Sequence, residues 1–177
     1  MSNLTAVRFH PNHHFHLFFL FSCSVQGVLL IFAAKKDPLE KLNWIKGIWR
    51  AEYSGKVFWP TIPTMTFGEE LVIQDAPVSK ASGIRFFNFS ARAWSHTTRD
   101  HLHDEWGFLT VDPTGKAVLM TTGNNVSFSR DLPVKELERT FTLKKPKQLE
   151  QRQRMRTATH PSHGLLDHAI VIYEKIE

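Results

Sequence analysis

From Gly47 onward, apolar and polar residues alternate with a period of two over many short stretches. Trp49, Ala51 and Tyr53, for example, alternate with polar residues, as expected of an antiparallel strand that buries one face. Turn-forming residues such as Pro113 and Gly115 separate the stretches. Further strands are predicted at Met65–Gln74, Gly83–Ser95, Glu105–Val111, Ala117–Thr122, Leu137–Lys144, Leu149–Thr159 and His168–Ile176. So many short strands in one small chain predict an all-β antiparallel sandwich or barrel.

The segment Pro38–Ile45 has a different pattern. Leu39, Leu42 and Ile45 recur at helical spacing, a proline stands at the start, and Gly47 follows the end. We therefore expect a short helix or 3₁₀ turn that packs its apolar side on the strands.

Two predicted strands indicate which residues share a face. In 149–157, Leu149, Gln151 and Met155 lie on one face, and the arginines at 152, 154 and 156 lie on the other. In the last strand His168 is expected to share a face with Ile170, Ile172 and Ile176. His168 is thus a polar ring in an apolar row, where an imidazole without a partner would cost about 1–3 kcal/mol.

Residues 1–36 are expected to lie outside the domain, which is assigned to 37–177. Residues 17–34 form an uncharged apolar run that ends just before Lys35 and Lys36. Three interpretations stay open: a secretory signal, a membrane anchor, or a disordered extension with no folded role. Contact with a membrane is expected only through this segment.

Composition narrows the function classes. The chain has 177 residues, is 42% hydrophobic and contains 14 Phe, which suits one globular domain with an aromatic core or an apolar pocket. The single Cys23 excludes a disulfide scaffold, a cysteine-based zinc site and an iron–sulfur cluster. A basic stripe from Arg130 to Arg156 could meet nucleic acid, but strand alternation explains its arginines, so nucleic-acid binding is ranked last.

Five blocks, in order, resemble the nitrobindin family, whose haem-binding β-barrels also occur at the C-terminus of THAP-type zinc-finger proteins. The blocks are Pro38-Leu39 through Gly47-Ile48-Trp49, Trp59-Pro60-Thr61-Ile62, Phe67-Gly68-Glu69-Glu70, Leu102-His103-Asp104-Glu105-Trp106-Gly107-Phe108, and Met155–Thr159 followed by His168–Lys175. The resemblance implies a lipocalin-like barrel of about ten strands with a haem at its open end. Compared with that pattern, this chain lacks about two strands after Asn125, which would narrow or open the barrel.

The resemblance also implies a site. His168 falls on the axial iron ligand of a ferric haem b, and Thr61 and His103 fall on positions that line the haem cavity. The residues alone leave other roles open: a core histidine bonded to a carbonyl for His168, an ion pair with Glu105 for His103, and a turn hydroxyl for Thr61. No catalytic side chain is assigned.

Two functions follow. The first is a haem protein that binds nitric oxide or converts peroxynitrite to nitrate, which would make the chain a peroxynitrite isomerase. The second is a non-catalytic barrel that carries an apolar small molecule, with haem binding lost through the missing strands. By resemblance the protein is expected in the cytoplasm; if 17–34 is a signal or anchor, it is secreted or membrane-anchored.

Overall fold

The computed structural model describes residues 4–9, 37–59, 62–82, 84–125, 134–159 and 162–177. These residues form strands with a 3₁₀ segment and one short helix. In chain order they are β1 (Leu4–Phe9), the 3₁₀ segment (Pro38–Ile45), β2 (Gly47–Trp59), β3 (Ile62–Asp75), α1 (Pro77–Ser82), β4 (Phe87–Ser95), β5 (His101–Val111), β6 (Ala117–Asn125), β7 (Val134–Lys145), β8 (Gln148–Thr157) and β9 (Leu166–Lys175). The predicted all-β architecture with a short helical turn at its start is confirmed, and α1 was not predicted.

Strands β2 to β9 form one curled antiparallel sheet in the order β6-β5-β4-β3-β2-β9-β8-β7. Its two outer strands, β6 and β7, would leave open edges. Strand β1 lies between them and closes the barrel, antiparallel to β6 over Leu4–Ala6 and parallel to β7 over Ala6–Phe9. The fold is therefore a closed, lipocalin-like barrel.

The place of β1 corrects one expectation. The sequence predicted that residues 1–36 lie outside the barrel, but Leu4–Phe9 is one of its strands, because the unpaired N–H and C=O groups of β6 and β7 gain partners from it. The apolar run 17–34 lies outside the described residues, so its signal, anchor and extension interpretations stay predictions. Within the described ranges, no helix is long and apolar enough to cross a membrane.

One end of the barrel is filled by the 3₁₀ segment. The Asp37 side chain accepts a hydrogen bond from the Leu39 amide at 3.0 Å and so caps the first turn. Leu39, Leu42 and Ile45 are buried, and the Trp49 indole donates to the Ile45 carbonyl at 2.8 Å. The segment packs on a core that includes Leu71, Ile73, Phe87, Phe89, Leu109, Leu119, Phe141, Leu149 and Tyr173.

The opposite end is formed by the end of β2, the start of β5 and the start of β9. Antiparallel pairing brings Trp59 next to Ile62, and Trp94 next to His101, at this end of the sheet. His103 is the third residue of β5 and His168 is the third residue of β9, so both predicted site histidines lie towards this end.

The basic stripe lies mainly on the outer face. Leu149 and Gln151 are buried, whereas Arg152 and Arg154 are exposed, as predicted for these arginines. Glu150, in the same row as the arginines, is also buried, and Arg152 and Lys144 contact it. Arg152 Nε donates to Glu150 at 2.9 Å and Arg156 Nη2 donates to Glu136 at 3.1 Å. Local carboxylates thus neutralise much of the stripe in the described residues, and the low rank given to nucleic-acid binding stays a prediction.

Candidate cofactor site

His168 occupies a β-bulge. On the neighbouring strand Gln153 pairs with Ala169 and Arg154 pairs with Asp167, so His168 is the one extra residue between these pairs. A bulge of this kind turns a side chain away from the direction that strict alternation would give it. The sequence supplies no direct sign of this insertion.

The bulge changes which face carries the histidine. Ile172 is 38% exposed and Ile176 is also exposed, whereas Val171 and Tyr173 are buried. The isoleucine row therefore faces outwards, and the prediction that His168 shares its face is wrong. His168 is instead half-buried with its Nδ1 atom inside the protein, close enough to Arg139 and His103 to feel their charges.

The surroundings of His168 favour a neutral imidazole. Burial lowers the pKa of His168 to about 4, and the positive charge of Arg139, followed by that of His103, adds to the effect. At neutral pH one ring nitrogen is therefore unprotonated, which is the form of imidazole that binds a metal.

His103 lies at the rim of the interior. It shares the inner face of β5 with buried Glu105, and its own side chain is 32% exposed. Its Nε2 atom is 3.8 Å from Oε2 of Glu105. The contact with Glu105 supports the ion-pair role considered from the sequence, and the cavity-lining role of His103 stays a prediction. Thr61 lies outside the described residues, and its role stays a prediction.

A buried ion pair lies behind the two histidines. Arg139 Nη2 donates to Glu105 Oε2 at 2.8 Å, and the Thr121 hydroxyl donates to the other oxygen of the same carboxylate. Burial by itself would raise the pKa of Glu105, but the charge of Arg139, together with the hydrogen bonds from Arg139 and Thr121, holds it well below its usual range. Glu105 is therefore an anion inside the barrel.

A second polar pair lies nearby on β3 and β9. The Tyr173 hydroxyl donates to Oε2 of Glu69, and both side chains are buried. Burial raises the pKa of Glu69 above its ordinary value and that of Tyr173 well above its own. Glu70 points to the outer face and contacts Arg50, so the two neighbouring carboxylates do not share a site.

Sequence reasoning missed the interior role of Arg139. The arginine was assigned to the solvated basic stripe, whereas it is buried and ion-paired. A signal was present: with a period of two, Arg139 falls in the same row as Leu137, Phe141 and Leu143. A cation in an apolar row indicates a buried partner of opposite charge. Here that partner is Glu105 on β5, which is separated from β7 by β1 and β6.

The residues present fit a haem better than a bare metal ion. Nowhere in the described ranges are three or more His, Cys, Asp or Glu side chains placed to hold a metal. A metal at His168 would therefore take most of its ligands from a macrocycle, and a porphyrin supplies four nitrogens. The residues next to both rings are small: Ala93 pairs with His103 across the sheet, and Ala169 follows His168 in the chain.

A closed barrel that is antiparallel except between β1 and β7, with one packed end and a neutral histidine towards the other end, defines a lipocalin-like barrel. The chain belongs to the THAP4-like, heme-binding beta-barrel domain family, whose model matches residues 38–129. The family predicted from the sequence blocks is thereby confirmed.

Relatives agree with this assignment. The chain is 29% identical to the uncharacterized protein C28H8.5 of Caenorhabditis elegans, with 78% of this chain and 56% of that protein aligned. It is 27% and 26% identical to the peroxynitrite isomerase THAP4 of Bos taurus and of Homo sapiens, over 80% of this chain but only 27% and 28% of those proteins. The chain thus spans between about a quarter and about half of the length of these curated relatives.

A solved structure supports the fold alone. The crystal structure of Rv2717c from M. tuberculosis superposes with a TM-score of 0.56 at 18% sequence identity, covering 79% of this chain and 98% of that one.

Proposed function

We propose that the chain binds haem b in its ferric form, with His168 as the axial ligand, and that the loaded protein binds nitric oxide or converts peroxynitrite to nitrate. The observation that carries this proposal is the position of His168: a neutral imidazole, set in a bulge and directed away from the outer isoleucine row. Membership of a heme-binding family and similarity to peroxynitrite isomerases support the choice of ligand and reaction.

Each residue of the site has a physical task. When bound, the haem would supply an iron that binds small nitrogen–oxygen ligands. His168 would hold the iron through the ring nitrogen that stays unprotonated, because burial keeps the imidazole neutral. Glu105 and Arg139 carry opposite charges and form an ion pair, so together they add no net charge next to His103 and His168. Peroxynitrite and nitrate contain the same atoms and charge, so the conversion needs no co-reactant.

A hemin titration of the full chain tests the proposal. We expect an intense Soret band that saturates at one haem per chain, and we expect His168→Ala to weaken hemin binding at least about tenfold, as loss of one metal ligand or its support does. His163→Ala is the matched control, because His163 is a histidine in an exposed turn. It should bind hemin as the unchanged protein does.

Rapid mixing of the hemin-loaded protein with peroxynitrite tests the reaction itself. The isomerase predicts faster decay and a larger yield of nitrate relative to nitrite. A Soret band that is the same in His168→Ala and in the unchanged protein would contradict the assignment of the ligand. If no hemin binds but a fluorescent fatty acid does, the carrier hypothesis replaces the haem hypothesis.

A further inference from the structure

Arg139 is a cation enclosed by the barrel. It lies near the middle of β7, is only 3% exposed, and pairs with Gln153 on β8, which in turn pairs with Ala169 beside His168. The ring of Phe89 lies 5.6 Å from its guanidinium carbon and covers part of the group. A guanidinium in such a place has lost nearly all of its hydration.

Only part of its hydrogen-bonding capacity is used. Nη2 donates to Glu105, whereas Nε and Nη1 are buried and have no hydrogen-bond partner among the described residues. Each buried donor left without an acceptor costs about 1–3 kcal/mol, and more when the group is charged. Native interiors therefore supply an acceptor to such donors, from the protein, from water or from a ligand.

The nearby acidic groups do not fill this role. Glu105 is already bonded to Arg139 and Thr121, and Glu69 is bonded to Tyr173. The imidazoles of His103 and His168 also lie close to the arginine, and burial keeps His168 in its neutral form. A small anion at Nε or Nη1 would meet the guanidinium directly, with Glu105 as its main source of repulsion.

We propose that Arg139 anchors an interior site for a small planar oxyanion, either free nitrate or nitrite or the carboxylate of a larger ligand. Guanidinium groups match such anions in geometry and bind them by charge-assisted hydrogen bonds. His103, whose side chain is 32% exposed, lies 3.8 Å from the same carboxylate. The site stands on Arg139 alone and does not require haem.

The test uses the full chain without haem. Sodium nitrate and, separately, sodium octanoate are titrated while the ¹⁵N resonance of the Arg139 Nε–H is followed at constant ionic strength. We expect a saturable shift of this resonance. Nitrate binding identifies a free inorganic anion, and binding of octanoate alone identifies a carboxylate on an apolar chain.

Two variants with opposite expected effects separate binding from structural support. Arg139→Gln should abolish saturable binding, read from the backbone amides of β7. Glu105→Gln should tighten it at least about tenfold, because it removes a negative charge next to the anion and keeps the guanidinium. Arg152→Gln is the matched control, since Arg152 is exposed on the outer face, and it should bind as the unchanged protein does.

Loss of binding in both Arg139→Gln and Glu105→Gln, or no saturable shift with either probe, would overturn the proposal. Because Arg139→Gln leaves Glu105 buried and unpaired, circular dichroism is recorded for every variant. If that variant does not fold, the double variant Arg139→Gln with Glu105→Gln removes both charges and takes its place.

Discussion

The guanidinium of Arg139 on β7 donates to the carboxylate of Glu105 on β5 at 2.8 Å, across the place where β1 lies between β6 and β7. The pair therefore joins the two sides of the barrel where the sheet formed by β2 to β9 ends. Both side chains are buried, so the contact is shielded from water and salt. The ion pair lies next to the candidate site, and it also links β7 to β5 on either side of the strands that close the barrel.

Breaking this pair is expected to be costly. Glu105→Ala leaves a buried cation without its partner, which lowers the free energy of unfolding by about 3–5 kcal/mol. Glu136→Ala is the matched control, because it removes a surface ion pair with Arg156 and should cost no more than about 1 kcal/mol. Urea unfolding at neutral pH measures both variants. Equal decreases in the free energy of unfolding would show that the buried pair contributes no more to stability than the surface pair.

Closure by β1 makes a second prediction. Removal of residues 1–9 leaves the facing edges of β6 and β7 without partners, so their amide protons should exchange at least about tenfold faster. Exposed edges should also cause association at high concentration, seen by light scattering.

A single substitution refines this test. Val7→Pro removes one backbone donor from β1 and should act in the same direction as the deletion, whereas Val7→Ile keeps the backbone and should not. Unchanged exchange in Ala117–Asn125 after the deletion would show that β1 does not close the barrel.

His168 predicts a dependence of stability on acid. Its pKa falls from 6.5 to about 4 on folding, so the unfolded chain takes up the proton first as the pH decreases. The neutral His168 therefore contributes to the free energy of unfolding, and this contribution is complete above pH 6.5 and is lost as the pH falls through 4. Over that window it amounts to about 3 kcal/mol.

The haem-free protein should therefore lose about 3 kcal/mol more of its unfolding free energy between pH 7 and pH 4 than His168→Gln does. Urea titrations at pH 7, 5.5 and 4 measure the difference. His163→Gln, in the exposed turn, should follow the unchanged protein. If the free energy of unfolding depends on pH in the same way for His168→Gln and for the unchanged protein, the fold does not hold the imidazole neutral.

Gly107 marks a close approach of β5 to β6. A Cβ at this position would lie 1.9 Å from the carbonyl oxygen of Met120, so Gly107→Ala forces the two strands apart. We expect a loss of about 1–3 kcal/mol in the free energy of unfolding. Gly164→Ala is the control, since a Cβ there meets no atom within 4 Å and should change stability by less than about 0.5 kcal/mol. Thermal unfolding compares the two, and similar melting temperatures would contradict the close packing.

The sequence by itself determined the all-β class, the 3₁₀ segment Pro38–Ile45, the outward arginines of β8 and the family, because alternation, capping residues and motif blocks are local patterns. It also pointed to His168, through the family blocks. It could not give the bulge that turns His168, since a bulge is a mismatch in register between β8 and β9 and exists only when both strands are paired. In the same way, the buried position of Arg139 and the insertion of Leu4–Phe9 depend on partners more than 30 residues away in the chain, and only the closed tertiary structure brings those partners together.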